Sequence, residues 1–240
     1  MLRTHTGWKV CKDFPTFFVI CLLFIPCHPE GREHFTNNMD QNFKFQEDNL
    51  FFTSDTHFSH ANIMAFCKRP FRNVEEMNEA MIANWNRIVP PDGIVFHLGD
   101  FAMGGVREWA NILDRLNGSV YLITGNHDIK TVSRGIGERF EHVSMQMRIQ
   151  VGHQKIWLNH YPFLCYGGAY NGDWQLFGHV HTRPSARDEK SGGLDFPRLS
   201  MLFPTQYDVG VDNNDFSPVS YDQVRTIIKE QIEKAKALKK

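Results

Sequence analysis

Seven side chains able to bind a divalent metal stand in this chain in the order Asp55, His57, Asp100, Asn126, His160, His179 and His181. They occupy five short patches: Ser54-Asp55-Thr56-His57, Leu98-Gly99-Asp100, Gly125-Asn126-His127-Asp128, Asn159-His160 and Gly178-His179-Val180-His181. A carboxylate, amide and imidazole set of this size can hold two metals side by side. Two such metals about 3.5–4 Å apart clamp the attacking and departing oxygens of a phosphoryl transfer. A carboxylate such as Asp100 can give one oxygen to each cation and lower their mutual repulsion. A water shared by both metals would lose a proton near neutral pH, and the resulting hydroxide would be the nucleophile. His127 can stay off the metals and protonate the leaving oxygen. Imidazoles with an amide suit manganese, iron or zinc better than an all-oxygen magnesium site, and manganese is favoured.

Donors this far apart in sequence meet only if the intervening elements bring them to one edge. Apolar runs that read as buried strands precede nearly every patch, among them Leu50 to Thr53, Ile94 to Leu98 and Val120 to Ile123. Between them lie helical patterns. Residues 60–67 form one. Val74, Met77, Met81, Trp85 and Ile88 form a second, capped by Asn73 with Glu76 three residues on and ended by Pro90-Pro91-Asp92-Gly93. Val106, Trp109, Leu113 and Leu116 stripe a third, stopped by Asn117-Gly118. Strands separated by helices run parallel, so their C-terminal ends collect at one edge of a sheet. The period then changes to two. Met145, Met147, Ile149 and Val151 alternate with polar residues, Gly152-His153 turns, and Lys155 to Leu158 returns as the second strand of a hairpin. The later part of the chain is therefore expected to be antiparallel. Residues 161–175 and 183–205 read as long loops, and Tyr207 to Val211 as a last strand. The final helix opens with a Ser220/Gln223 capping box and a Val219/Val224 staple.

A chain of 240 residues can bury one core and is expected to form one domain. Its formal net charge of −1 gives no whole-domain field to draw in nucleic acid, which counts against a nuclease. Five cysteines, three of them within the first 30 residues, make no disulfide framework and suit a reducing compartment. Residues 1–48 differ from the rest. Phe17 to Ile25 is an unbroken apolar run of nine residues, too short to cross a bilayer, which takes about 20. It has the size of a signal-peptide core, yet no small-x-small cleavage site follows. Met39 is the alternative natural start. Residues 1–48 are accordingly set apart as a signal-like or mis-assigned extension, and 49–240 as the folded domain. The expected location is the cytoplasm, or outside the cell if residues 1–38 act as a signal.

Asp-x-His, Gly-Asp, Gly-Asn-His-Asp, a lone His and Gly-His-x-His, in this order, resemble the calcineurin-like metallophosphoesterase superfamily. Thr53-Ser54-Asp55-Thr56-His57, Ala61-Asn62-Ile63, Arg69-Pro70-Phe71 and His97-Leu98-Gly99-Asp100-Phe101-Ala102 are similar to its small bacterial and phage-type members. The resemblance implies an α/β fold of two packed, mixed β-sheets flanked by helices, with a dimetal site at one sheet edge. It implies that Asp55, His57 and His181 hold one metal, that Asn126, His160 and His179 hold the other, that Asp100 bridges, and that His127 is catalytic. The implied activity is hydrolysis of a phosphomonoester or phosphodiester on a small phosphorylated substrate. A metal-binding scaffold without turnover is the alternative, although such a protein should lack ligands that this chain keeps. The larger protein phosphatases carry an arginine after the Gly-Asp motif. Here the run is Gly99-Asp100-Phe101-Ala102-Met103-Gly104, which counts against phosphoprotein substrates. His60 and Arg69 are candidate substrate contacts, with a helix start and a solvated face as their plainer readings. Asp128 either orients a neighbouring ligand or caps a helix. His97 reads as a hydrogen-bonded core residue.

Overall fold

A computed structural model describes residues 43–182 and 199–238. The Phe17–Ile25 run, Met39 and most of the 183–205 loop lie outside the described residues. Along the chain come β1 (Phe43–Phe45), β2 (Leu50–Thr53), α1 (Ala61–Phe66), α2 (Val74–Ile88), β3 (Ile94–His97), α3 (Val106–Leu113), β4 (Ser119–Ile123) and α4 (Ile129–Val132). Then follow β5 (His142–Ser144), β6 (Gln146–Val151), β7 (Gln154–Asn159), β8 (Trp174–Phe177), β9 (Gln206–Asp208), β10 (Val219–Ser220) and α5 (Tyr221–Ala237). The strands form two five-stranded sheets, in the orders β10-β2-β3-β4-β5 and β1-β6-β7-β8-β9.

Alternation along the strands of the first sheet sends their side chains to two separate cores. Leu50 and Phe52 of β2, Phe96 of β3 and Ile123 of β4 face Met147, Ile149, Ile156, Leu158 and Leu176 of the second sheet. Phe51, Val95, Val120 and Leu122 point the other way, against Ile63, Met77, Met81, Trp85 and Trp109 of α1, α2 and α3. Val224 and Ile228 of α5 join the intersheet core. The helix signals act as expected: the Asn73 side chain accepts from Glu76 N at 2.8 Å, and Ser220 with Gln223 forms a capping box. Among the described residues no helix is long and apolar enough to cross a membrane.

Three differences from the sequence reading matter for the site. Among the described residues only the β6–β7 hairpin and the β10–β2 pair are antiparallel; β7, β8 and β9 run parallel to one another. The second sheet therefore also gathers strand C-termini at one end. Trp174 and Gln175, read as the end of a loop, open β8. The Gly and Tyr residues before Trp174 hid a four-residue strand too short to show a period. Helix α3 stops at Leu113, one turn before Asn117. Asn117 serves the neighbouring helix instead, its side chain donating to Val89 O at 3.0 Å.

Strand β1 pairs in parallel with β6, so the second sheet reaches back into the segment set apart as an extension. The Phe45 ring packs edge-on against Phe96 at 5.1 Å and Tyr121 at 5.6 Å. Chain starting at residue 49 should therefore melt about 5 °C below chain starting at residue 39, a loss of about 2 kcal/mol of apolar burial. Equal midpoints in a calorimetric scan would show that β1 contributes nothing to the fold.

Candidate metal centre

Each ligand patch leaves the C-terminal end of a strand: Asp55 and His57 after β2, Asp100 after β3, Asn126 after β4, His160 after β7, and His179 and His181 after β8. The loops lace together through their backbones. Asp55 N donates to Gly99 O at 2.9 Å, His57 N to Asp100 O at 3.0 Å, and His179 N to the Asp55 carboxylate at 2.9 Å. Such close approach needs glycine. A Cβ on Gly178 would lie 2.1 Å from Ser54 Oγ and 2.2 Å from Asp55 Oδ2. Gly99, at φ +98°, would bring one 2.5 Å from Gly125 N.

The donor atoms converge in two groups, Asp55 with His57 and His181, and Asp100 with His160 and His179, each within 4.8 Å of one another. The Asn126 carbonyl oxygen joins the second group, 3.2 Å from His160 Nε2. His179 Nδ1 is also 3.2 Å from that nitrogen. Asp100 lies between the groups. Its Oδ2 is 3.5 Å from His57 Nε2 and 3.5 Å from His160 Nε2, while Oδ1 accepts from His127 N at 2.9 Å. Spacings of this size are those of donors arranged about 2.1 Å from a common ion. The fit to cations rests on a second observation. Asp55 Oδ1 is fully buried and has no hydrogen-bond partner, a costly state for a carboxylate oxygen unless a cation faces it.

Protonation is set by the surroundings. His160 Nδ1 lies 2.8 Å from Leu98 O, which only accepts, so Nδ1 carries the proton and Nε2 offers its lone pair. Burial, with the neighbouring His181 and Arg69 charges, pushes His57 far below the usual histidine range. Burial lowers His179 in the same way. His181 goes the other way. Burial opposes its charge, but hydrogen bonds with Asp212 and Cys67 and the Asp55 carboxylate push it up to about 11, a proton that an ion bound at Nε2 would displace. With Nδ1 held by Asp212 at 2.7 Å, its Nε2 faces Asp55 Oδ1 at 3.8 Å.

The other candidates sort clearly. His127 stands at the open rim, 40% exposed, with Nε2 3.9 Å from Asp100 Oδ2. His60 is half-buried beside it, its Nδ1 3.2 Å from His57 Nδ1. Asp128 accepts from Asp100 N at 2.7 Å, Gly125 N at 2.8 Å and Phe101 N at 2.9 Å. It makes no capping bond to α4, so it braces the loops under two ligand patches. Burial pushes its carboxyl up to about 6 against those three bonds. His97 is a buried link: Nδ1 accepts from Gly99 N, and Nε2 meets Thr56 Oγ1 at 2.9 Å.

Arg69 corrects both readings offered for it. The side chain is fully buried, neither solvated nor facing a substrate. It donates to Asp55 O at 2.7 Å, to Thr56 O at 2.8 Å, and by two prongs to Asp212 at 2.9 Å. Asp212 and Asp208 went unnoticed in the sequence. Asp208 accepts from Thr182 N at 3.1 Å and Gly210 N at 2.8 Å, and so anchors the end of the Gly-His-Val-His loop. The signal was there: Asp208-Val209-Gly210-Val211-Asp212 sets two carboxylates among valines that are fully buried. Cys67, His181 and Asp212 form a third group of metal-competent atoms, but the Arg69 charge on both Asp212 oxygens counts against a cation there.

A sequence model of the calcineurin-like phosphoesterase family matches residues 49–181, which include every ligand patch. The chain belongs to this family. It is thus a phosphoric ester hydrolase whose donor clusters fit a metal-dependent reaction. The phosphoesterase is 34% identical over 192 residues to an uncharacterized protein of Methanocaldococcus jannaschii, MJ1445, covering 79% of this chain and 94% of that one. It is 27% identical over 211 residues to the gene 66 protein of Mycobacterium phage D29, covering 75% and 96%. A solved structure, the protein of unknown function AQ665 from Aquifex aeolicus, shares the fold with a TM-score of 0.56, at 22% identity over 74% of this chain and 98% of that one.

Replacing Arg69 by Met should destabilise the phosphoesterase by about 3–5 kcal/mol, because it leaves the buried Asp212 carboxylate without its cation. Urea unfolding measures this, and a loss under about 1 kcal/mol would show that the pair carries no such weight.

Proposed function

We propose that this phosphoesterase uses two divalent ions to hydrolyse a small phosphomonoester or phosphodiester. Asp55, His57 and His181 would hold one ion, Asn126, His160 and His179 the other, and Asp100 would lie between them. The observation that carries the reading is the placement of Asp100 Oδ2, 3.5 Å from an imidazole nitrogen of each group. Bound there, the ions would supply Lewis acidity to the phosphoryl oxygens and an activated water. Mixed imidazole, amide and carboxylate donors suit manganese, iron or zinc, and manganese is the ion to load first.

The protein's own groups do the rest. His127 stands at the rim with its backbone N–H tied to Asp100 Oδ1, which holds its stretch of chain beside Asp100 and leaves the ring free to meet a departing ester oxygen. Its role is to hand that oxygen a proton. His60, next to His57 and 6.0 Å from the His127 ring, is placed to touch the phosphoryl group as it enters. A scaffold without turnover is disfavoured because the chain belongs to a phosphoesterase family and keeps all seven candidate ligands and His127.

His127→Ala should lower manganese-dependent turnover of chromogenic mono- and diesters about 10²–10⁴-fold while two metals stay bound. His181→Ala should deplete one metal. Equal metal loss in both variants would refute the division of roles. Asp212→Asn should weaken binding of one metal about 10–100-fold, because the His181 ring loses the carboxylate that orients it. Unchanged affinities in a calorimetric titration would remove Asp212 from the account.

A further inference from the structure

Beside the second ligand group lies a cleft of about 450 Å³, walled by Tyr161, Leu164, His179, Leu199, Met201 and Leu202. It is continuous with the metal centre. The Tyr161 ring packs against His179 at 4.6 Å and against His160 at 4.9 Å. The Tyr161 hydroxyl lies 3.4 Å from the Asn126 carbonyl oxygen. Two walls therefore belong to residues at the ligand cluster, and anything seated there starts where a phosphoryl group would end. Its volume is in the range of small-molecule sites.

The chemistry of the walls is one-sided. Among the described residues, no Asp, Glu, Lys or Arg lines the cleft. Leu164 is 66% exposed and Met201 63%, so two long apolar side chains that line the cleft also reach solvent. Scattered exposed hydrophobics need no explanation, but a set gathered around a cleft at a catalytic centre marks a binding surface. Among the described residues, a sugar, a polyphosphate or a nucleic-acid backbone would find little beyond the Tyr161 hydroxyl and the His179 ring to replace its lost hydration.

We infer that this cleft receives the organic group of the substrate, and that the substrate is a small phosphoester whose organic group is uncharged and apolar. The inference rests on the dimetal reading and adds the substrate class to it. The phosphoryl head would sit over Asp100, and the ester's organic part would turn past Tyr161 onto Leu164 and Met201. Selectivity would come from burying that part, with Tyr161 and His179 as the flat wall and the two exposed side chains as the adjustable one.

Calorimetric titration of the full chain, loaded with manganese, tests this with two probes that share one head group, methylphosphonate and benzylphosphonate. Benzylphosphonate should bind at least tenfold tighter. In Leu164→Asn and Met201→Asn the preference should fall below threefold while methylphosphonate binds within twofold of its native affinity. Asparagine is used because a new carboxylate would itself repel the phosphonate. Both positions are exposed, so neither variant should disturb the fold. Equal binding of the two probes by the native protein, a preference that survives both substitutions, or no binding of either probe would overturn the inference. Methylphosphonate affinity that is unchanged when manganese is removed, with the benzyl preference intact, would instead contradict the dimetal reading and leave the apolar cleft standing.

Discussion

The Arg69 side chain is buried beneath the candidate ligands, and its guanidinium bonds two loops directly and a third through Asp212. Two donors hold the carbonyls of Asp55 and Thr56 in the loop after β2. Two more hold both oxygens of Asp212 in the loop after β9. Asp212 in turn fixes the ring of His181 in the loop after β8. A single cation thus sets the relative positions of Asp55 and His181, which come from different sheets. Burying such a pair carries a desolvation cost that the mutual attraction repays only when nearly every donor is matched. Here the remaining donor finds the Met77 sulfur at 3.5 Å. The pair therefore contributes geometry more than net stability.

That geometry is held against backbone strain. Asp55, His57, Asp100, His179 and His181 all have positive φ, between 47° and 71°. For residues with a Cβ this conformation costs about 1–2 kcal/mol each. The strain persists because the loops are bonded to each other across the sheet edge, with Asp128 gathering three backbone N–H groups and Asp208 two. Left-handed turns aim successive side chains of one short loop at the same point, as Asp55 and His57 are aimed. Buried carboxylates that only brace the backbone allow those that face the opening to keep oxygens free, as Asp55 Oδ1 is kept.

Much of this was legible in the sequence, for identifiable reasons. The first sheet showed itself because β2, β3 and β4 are buried on both faces and alternate with amphipathic helices. The candidate ligand patches stood out because polar residues follow those apolar runs directly. The strands that escaped notice, β1, β5, β8 and β10, run from two to four residues, too short for any period to register. The braces were harder to see. Arg69 looked like a surface residue because buried arginine is rare, and only the fold brings it to Asp212, 143 positions away. Asp208 and Asp212 sit in a segment read simply as a last strand. Their burial among valines was visible, but a carboxylate's partners cannot be read from its neighbours in sequence.

Two ions close enough to share Asp100 would be magnetically coupled, and electron paramagnetic resonance of manganese-loaded protein tests that directly. The expected result is two manganese ions per chain giving one exchange-coupled signal, which Asp100→Asn converts to the pattern of isolated ions. Uncoupled signals in the native protein, or a single ion per chain at saturation, would contradict a shared carboxylate and with it the paired centre.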